Sequence, residues 1–444
     1  MTNRIKAPIL AVAAVFALSG CDLLDVDNPN SLVEESIQLE AASNGVANGS
    51  LRLVADAVAT IWQGPAMVAD ELYWTGSRDA WGSLDRGNIG DPLNEFLDSA
   101  FPSLGQATWM AKNAVTIISE HVANNAGDAS FGLDLANAHL YNGIILMVTG
   151  EIQDDMTFSD KQTDGPPVGP ANMGGVIDSA ISELGLAITQ FTALGNTDLA
   201  TAATALRARA HMSRVIWNAI NPSATAGGAL AFPAALADAN AVLTAASGAD
   251  WQYNLIYGSG KNSCFMCSNV NQRGENQLDQ SLVENTGPGA SGRTGVIVLK
   301  DVVTGADDAA LVTAVAQWGG TQYGNLTLAS ARLMRLIIAE DALAGGDAAA
   351  FATQINAIRA YDDYGSASDF VSGGAVTDVA MLQHTRRVNT LWQGLRLQDM
   401  YRWGLTDPLW AAGSTTLVSP GQMLPITIVE IRANCNLGTS TCSG

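Results

Sequence analysis

Positive charge is scarce in this 444-residue sequence: 22 lysines and arginines stand against 43 aspartates and glutamates, for a formal net charge of −21 at pH 7. A surface of this sign repels phosphate backbones, which excludes a nucleic-acid-binding protein. It also disfavours charge-driven adhesion to anionic lipids. Long apolar runs are equally scarce, because no segment after the N-terminal leader has the roughly 20 consecutive apolar residues of a transmembrane helix.

Motifs for catalysis and metal binding are missing too. The four histidines, His121, His139, His211 and His384, lack the spacing of metal ligands. The run Gly258-Ser-Gly-Lys261 is followed by asparagine, where a phosphate-binding loop needs serine or threonine. We therefore predict no catalytic residue, no metal and no cofactor. Glycoside hydrolysis needs only two well-placed carboxylates, so an exported glycan-degrading enzyme remains an alternative.

The N-terminus has the features of an export signal. Arg4 and Lys6 precede an apolar stretch at 7–19, which is too short to span a membrane, and Leu18-Ser-Gly-Cys21 closes it. This ending resembles the lipobox of bacterial lipoproteins, in which the chain is cut before the cysteine and the sulfur receives a diacylglycerol. We predict a signal peptide at 1–20 and a lipid anchor on Cys21.

Four cysteines remain in the exported chain: Cys264, Cys267, Cys435 and Cys442. Disulfides are the default outside the cytoplasm. The local pairing, Cys264 with Cys267 and Cys435 with Cys442, is the simplest of the three arrangements because each bond closes a short polar loop. Structural disulfides rank first, reduced thiols second and a metal site third.

Apolar residues recur every three to four positions through much of the chain, which predicts amphipathic helices. The predicted helices are 128–150, 174–193, 198–220, about 232–246 and 328–343. Gly345-Gly346 ends the last of these, and Asp347 stands where the N-cap of a following helix belongs. Two helices joined by so short a turn form an antiparallel hairpin of the tetratricopeptide kind.

Two stretches lack helical periodicity and are predicted to be loop-rich insertions. The first covers about 74–104, and the second, rich in Gly, Ser, Asn and Pro, covers about 247–327. A short β-type run lies at 295–299. Long insertions on a regular scaffold often carry function.

The C-terminal region resembles the signature of the SusD/RagB family. An arginine-rich helix leads to Gly-x-Arg, then to an Asp-containing Arg-Trp-Gly motif, and two short motifs follow. Their counterparts here are Arg386-Arg387, Gly394-Leu-Arg396, Asp399-Met-Tyr-Arg402-Trp-Gly404, Leu424-Pro-Ile-Thr427 and Glu430-Ile-Arg-Ala-Asn434-Cys-Asn-Leu437. Thr427 and Cys435 replace family prolines. The lipobox, Gly150-Glu-Ile and the hairpin at 328–361 extend the resemblance over nearly the whole exported chain.

The resemblance implies an all-α fold of tetratricopeptide-like helix pairs with little β structure, as a single domain over 21–444. It implies a surface-exposed, lipid-anchored outer-membrane protein that binds oligomeric nutrients, chiefly glycans. A SusC-like TonB-dependent transporter would be its partner and would receive the ligand. A scaffold that packs on an outer-membrane complex without binding a nutrient is a second alternative.

Ligand contacts are expected from loop aromatics beside polar groups, because sugars present both apolar faces and hydroxyl groups. The segment 70–81 supplies Asp70, Trp74, Arg78 and Trp81. The central insertion supplies Trp251, Tyr253, Tyr257, Trp318 and Tyr323. In the C-terminal motif, Arg396, Asp399 and Arg402 are spaced for an ion-pair row along one helix face, and we interpret this row as scaffold.

Overall fold

The computed structural model describes residues 34–160, 163–260, 262, 264–284, 296–318, 320–365 and 369–438. The predicted signal peptide, the anchor residue Cys21 and the predicted disulfide partner Cys442 lie outside these residues. No helix in the described ranges combines the length and the apolar character that crossing a membrane requires.

Helices dominate the described chain, which confirms the predicted all-α class. The helices are α1 (Glu34–Ile37), α2 (Ser43–Ile61), α3 (Gln63–Val68), α4 (Asp79–Asp85), α5 (Glu95–Asn124), α6 (Ala129–Ile152), α7 (Gly174–Ala193), α8 (Thr197–Ile220), α9 (Pro233–Ala246), α10 (Phe265–Ser268), α11 (Ala309–Trp318), α12 (Ala331–Ala344), α13 (Ala348–Arg359), α14 (Asp378–Asn389), α15 (Arg396–Trp403), α16 (Thr415–Val418) and α17 (Ile428–Ala433). Short 3-10 turns lie at Glu40–Ala42, Pro170–Asn172 and Cys435–Leu437, and a π-helical turn lies at Asn269–Arg273.

The β structure consists of short antiparallel ribbons. The strands are β1 (Leu72–Trp74), β2 (Gln252–Leu255), β3 (Asn276–Leu278), β4 (Val283–Glu284), β5 (Val296–Ile297) and β6 (Leu326–Ser330). Three ribbons pair β1 with β3, β2 with β6, and β4 with β5. The first ribbon joins the segment after α3 to the central insertion, and β5 falls within the predicted β-type run.

The long helices pack in a continuous series. The packed neighbours are α2 with α5, α5 with α6, α6 with α7, α7 with α8, α8 with α9, α9 with α12, and α12 with α13. This is the helix-pair arrangement expected from the sequence. The hairpin turn behaves as predicted: the Asp347 carboxylate accepts a hydrogen bond from the Ala350 amide at 2.9 Å, and Gly346 adopts a positive φ of 79°.

Three boundaries differ from the sequence prediction. α5 begins at Glu95, inside the predicted loop 74–104, because Asn94 caps it and an apolar face outweighs the internal proline Pro102. Residues Leu326–Ser330 form β6, so the helix expected from 328 starts only at Ala331, where the Ser330 hydroxyl caps it. α6 continues through Ile152, so Gly150-Glu-Ile is helical and not a turn. The insertion 247–327 also contains the helix α11.

A buried ion-pair network joins the C-terminal motif to the hairpin. Asp399 accepts hydrogen bonds from Arg386 and Arg402, each at 2.8 Å. Arg402 also donates to Glu340 on α12 at 3.0 Å. These four side chains are at most 2% exposed. Burial raises the pKa of Asp399, but the two guanidinium groups outweigh burial and lower it. The predicted ion-pair row is therefore partly right: Arg402 pairs with Asp399, but Arg396 pairs elsewhere.

We predict that Glu340→Ala lowers the free energy of unfolding by about 3–5 kcal/mol, because it leaves buried guanidinium groups without their carboxylate. Urea denaturation monitored by circular dichroism measures the change. Arg52→Ala, which removes an exposed i,i+4 pair with Asp56, is the control and should cost at most about 1 kcal/mol. A similarly small effect for Glu340→Ala would contradict the structural role of the network.

Candidate functional site

The structure contains a cavity of about 560 Å³ between the β2–β6 ribbon, α11, the start of α12 and the end of α14. This volume falls in the range of roughly 300–1,000 Å³ that is typical of small-molecule sites. Exposed Asp250, Gln317 and Asn325 lie at the rim, so the cavity is open to solvent there. The lining residues are Asp250, Gln252, Asn254, Ala310, Thr313, Ala314, Gln317, Trp318, Asn325, Leu326, Thr327, Arg332, Val388, Asn389, Leu391, Trp392 and Gln393.

Planar amide groups dominate the polar part of the wall. Six carboxamide side chains line it, from β2, α11, the segment before β6, α14 and the turn after α14: Gln252, Asn254, Gln317, Asn325, Asn389 and Gln393. Side chains alternate between the faces of a strand. Gln252 and Asn254 therefore line the cavity, whereas Trp251 and Tyr253 pack against the main core.

Two tryptophans supply the aromatic part of the described wall. The rings of Trp318 and Trp392 stack with centroids 4.2 Å apart and an interplanar angle of 22°. Each residue is 5% exposed. Trp392 has a φ of 54°, a left-handed conformation that is uncommon for a bulky residue and is often found at functional sites. Two residues later, Gly394 has a φ of 74° and passes so close to the Trp62 indole that no Cβ would fit.

Buried Glu71 holds the Trp392 backbone in this conformation. Its carboxyl oxygen accepts a hydrogen bond from the Trp392 amide at 2.8 Å. Burial raises the pKa of Glu71 to about 8, and the hydrogen bond from Trp392 opposes that rise only in part. Glu71 is thus mainly protonated at neutral pH, and it connects the segment before β1 to the cavity wall.

Arg332 is fully committed to protein partners. Its Nε and Nη2 donate to Asp250 at 3.0 and 2.8 Å. Its Nη1 donates to Asp362 at 2.6 Å and to the Asn389 side chain at 2.8 Å. Burial would lower the pKa of Arg332, but the hydrogen bonds to both carboxylates raise it. The guanidinium group therefore fixes Asp250 and Asn389 in the cavity wall.

Several polar atoms of the wall have no hydrogen-bond partner within the described part of the chain. These atoms are Asn254 Oδ1, Gln393 Oε1, Trp318 Nε1 and Trp392 Nε1. Buried polar groups without partners are costly and uncommon in folded proteins.

Three of the predicted ligand residues are engaged by other parts of the protein. Trp81 is 1% exposed and packs on Phe96 with ring centroids 3.7 Å apart. Tyr257 is 5% exposed, and its hydroxyl donates to the Ala55 carbonyl at 2.8 Å. Asp70 is bound to Arg396 and Arg387. Burial raises the pKa of Asp70, but these arginines outweigh it and lower that pKa. These three residues are scaffold, because their polar groups or ring faces are already engaged.

The other predicted residues lie in different places. Trp318 lines the cavity, as described above. Trp74 is half-buried against Gly82 on the β1–β3 ribbon, Arg78 is exposed before α4, and Tyr323 is half-buried near β6. None of the residues 70–81 is among the described residues that line the cavity, although Glu71 contacts the wall through the Trp392 amide.

The sequence reasoning missed the amide residues of the wall. Gln252 and Asn254 alternate with the selected aromatic residues Trp251 and Tyr253, so a period-two reading of 251–254 would have found them. Trp392 and Gln393 were not selected, because both lie in a motif interpreted as scaffold. Trp392 and Gln393 have two roles. The motif that contains them contributes to the fold, and the turn at these residues forms part of the cavity wall.

The three cysteines in the described ranges are disulfide-bonded. Cys264 and Cys267 form a disulfide, which agrees with the local pairing, and Cys435 is also disulfide-bonded. Within the described ranges, Asp301, Asp308 and His384 are the group that could approach a metal. Arg359 donates to both Asp301 oxygens at 2.6 and 2.9 Å, and His384 lies 2.8 Å from Asp308. A guanidinium group in that position makes the cluster a buried ion-pair network rather than a cation site.

Comparison with known proteins gives information on the fold. No protein-family model matches the chain, and no curated protein sequence matches it. Among solved structures, a SusD superfamily protein from Bacteroides thetaiotaomicron aligns with a TM-score of 0.62 at 14% identity, over 89% of this chain and 98% of that one. A SusD superfamily protein from Bacteroides vulgatus aligns at 0.59 and 14% identity, over 91% and 98%.

This chain has the SusD-like fold. A further solved structure, a SusD-like carbohydrate binding protein from Bacteroides vulgatus, aligns at a TM-score of 0.50 and 11% identity, over 82% of this chain and 83% of that one. These structures share the fold, although at 11–14% identity most of the aligned side chains differ. The resemblance carried by the C-terminal motif predicted this architecture.

We predict that Glu71→Gln changes how stability depends on pH. The folded-state pKa of Glu71, about 8, lies above its ordinary value of 4.5. Between these values the folded protein keeps a proton that the unfolded chain releases, so this contribution to wild-type stability is lost as the pH rises toward about 8. The variant keeps an acceptor for Trp392 but does not ionise.

The difference in free energy of unfolding between Glu71→Gln and wild type should therefore increase from about pH 5 to about pH 9. The increase should be up to about 1.4 kcal/mol per unit of pKa shift. Urea unfolding across this range measures the difference. The control is Glu120→Gln, at an exposed position of α5, which should parallel wild type. Parallel profiles for Glu71→Gln as well would show that Glu71 ionises normally.

Proposed function

We propose that this chain is a SusD/RagB-family lipoprotein of a bacterial outer membrane, exposed at the cell surface, which binds oligomeric glycans and passes them to a TonB-dependent transporter. The observation that carries the proposal is the cavity lined by amides and two indoles within a SusD-like fold. The N-terminal lipobox and the C-terminal motif support the cellular setting.

The chemistry of the wall suits a sugar. Each carboxamide offers donors and an acceptor in one plane, and a sugar hydroxyl also donates and accepts. Indole rings present flat apolar surfaces to the C–H faces of a pyranose. One of the solved structures with this fold is named a SusD-like carbohydrate binding protein. Gln252, Asn254 and Gln393 supply the polar contacts in this proposal, and the small exposed part of the stacked Trp318–Trp392 pair supplies the apolar contact.

Binding without bond cleavage fits the wall better than hydrolysis does. A glycosidase uses two carboxyl groups on either side of the scissile bond. Among the described lining residues, Asp250 is the one carboxylic acid, and Arg332 donates to both of its oxygens. An exported hydrolase therefore remains the weaker alternative, and release of shorter sugars during incubation with oligosaccharides would favour it.

We predict that the double variant Gln252→Ala/Asn254→Ala weakens glycan binding by about 10- to 30-fold, because each lost amide removes hydrogen bonds that contribute about 1 kcal/mol apiece. A glycan array with the exported chain identifies a binding oligosaccharide, and isothermal titration calorimetry then measures its Kd. Both positions are half-buried and lie on a short ribbon, so circular dichroism should confirm that the variant is folded.

The matched control is Asn240→Ala, which removes an exposed amide on α9, outside the cavity. It should leave the Kd unchanged. Unchanged binding in the double variant would place the ligand site elsewhere, and a complete absence of glycan binding by the wild type would favour the non-binding scaffold.

We predict that Cys21→Ser prevents lipidation. The cysteine sulfur is the atom that would carry the diacylglycerol, and stable anchoring needs at least two acyl chains. Metabolic labelling with an alkyne fatty acid, followed by membrane fractionation, measures the result. Cys264→Ser is the control and should stay labelled. Retained label in Cys21→Ser would contradict the proposed anchor.

A further inference from the structure

We infer that the cavity selects uncharged oligosaccharides and rejects uronic-acid and sulfated ones. This inference rests on the proposed glycan-binding function and concerns the charge of the ligand. It follows from the state of the ionisable groups in the wall.

The charged residues among those lining the cavity are Asp250 and Arg332. An arginine has five N–H donors, and all five of Arg332 are directed at protein acceptors on Asp250, Asp362 and Asn389. The Arg332 guanidinium group also lies 5.4 Å from the centre of the Tyr361 ring. Among the described lining residues Arg332 is the only cation, and it has no donor left for a carboxylate or sulfate on a ligand.

The carboxylates that bind Arg332 outnumber it. One guanidinium group faces the carboxylates of Asp250 and Asp362, so the three side chains together carry a net charge of −1. The Asp250 side chain is 29% exposed and the Asp362 side chain is 2% exposed. The negative charge nearer to solvent is therefore that of Asp250, at the cavity rim. An anionic ligand would meet this carboxylate on entry.

The other arginines on the elements around the cavity are bound outside its described wall. Arg335 on α12 donates to the Tyr361 hydroxyl and to the Gln354 amide oxygen, and Arg386 and Arg387 on α14 pair with Asp399 and Asp70. The segments β2, α11 and β6, with the sequences QYNL, AALVTAVAQW and LTLAS, contain no ionisable group other than the Tyr253 hydroxyl. Residues 388–393 of the opposite wall are also uncharged. A charged group that enters a partly buried site loses its bound water, and without a counter-charge no protein group compensates for that loss. A neutral sugar loses hydration that the carboxamides can replace.

The test uses a matched pair of ligands. The neutral oligosaccharide that binds best on the array is oxidised at its primary hydroxyl groups to the corresponding uronate, and calorimetry compares the two Kd values at low ionic strength. We expect at least about tenfold weaker binding of the uronate. We also expect the ratio to shrink as salt is raised, because ions screen the repulsion.

Asp250→Asn tests the origin of the discrimination. It removes the rim charge and leaves Arg332 paired with Asp362, so the ratio of the two Kd values should fall toward one. Asp198→Asn makes the same charge change at an exposed position of α8 and should leave the ratio unchanged.

The possible results separate this inference from the proposed function. Equal binding of neutral and oxidised ligands overturns the charge selection, while the glycan-binding function stands. A large ratio that depends neither on salt nor on Asp250 also overturns it, because shape would then be the cause. If no neutral or anionic glycan binds the wild type, the proposed function itself fails.

Discussion

The buried ion pairs between the C-terminal motif and the long helices are the constraint on which the rest of the structure depends. Glu340, Arg386, Asp399 and Arg402 are almost completely excluded from solvent, so each charge is tolerable only while its partner is present. A second buried pair, Arg209 with Glu151 at 2.7 Å, joins α8 to α6. Such pairs add less net stability than their number suggests, but they strongly disfavour arrangements in which a partner is displaced.

These contacts also determine where the cavity lies. Arg209 donates to the Gln393 carbonyl at 2.7 Å and to the Leu328 carbonyl at 2.8 Å, which fixes the turn after α14 against strand β6. Glu71 holds the Trp392 amide from the other side. The cavity wall is thus assembled from segments that the scaffold charges have already positioned. The glycan binding that we propose depends on this wall.

The regular part of the fold was largely predictable, whereas the site was not. The helices at 174–193 and 198–220 and the Asp347 cap follow from local periodicity and capping, which a single segment encodes. Trp81 and Tyr257 were selected as loop aromatics, but an aromatic ring is equally suited to burial. Only the packing around each ring separates these two outcomes, so composition could not identify Trp318 and Trp392 as the stacked pair.

By itself, the sequence determined the helical architecture and the acidic character of the chain. It also carries the resemblance that led to the SusD-like fold and the motif that predicts lipid attachment at Cys21. These properties depend on local pattern or on summed composition. The tertiary structure decided which amides meet around one cavity, and that Arg332 is neutralised while Asp250 stays at the rim. Asn254, Gln317 and Gln393 are far apart along the chain, and nothing in their local sequence encodes their proximity. Long-range packing brings them together, because the buried charges permit few other arrangements.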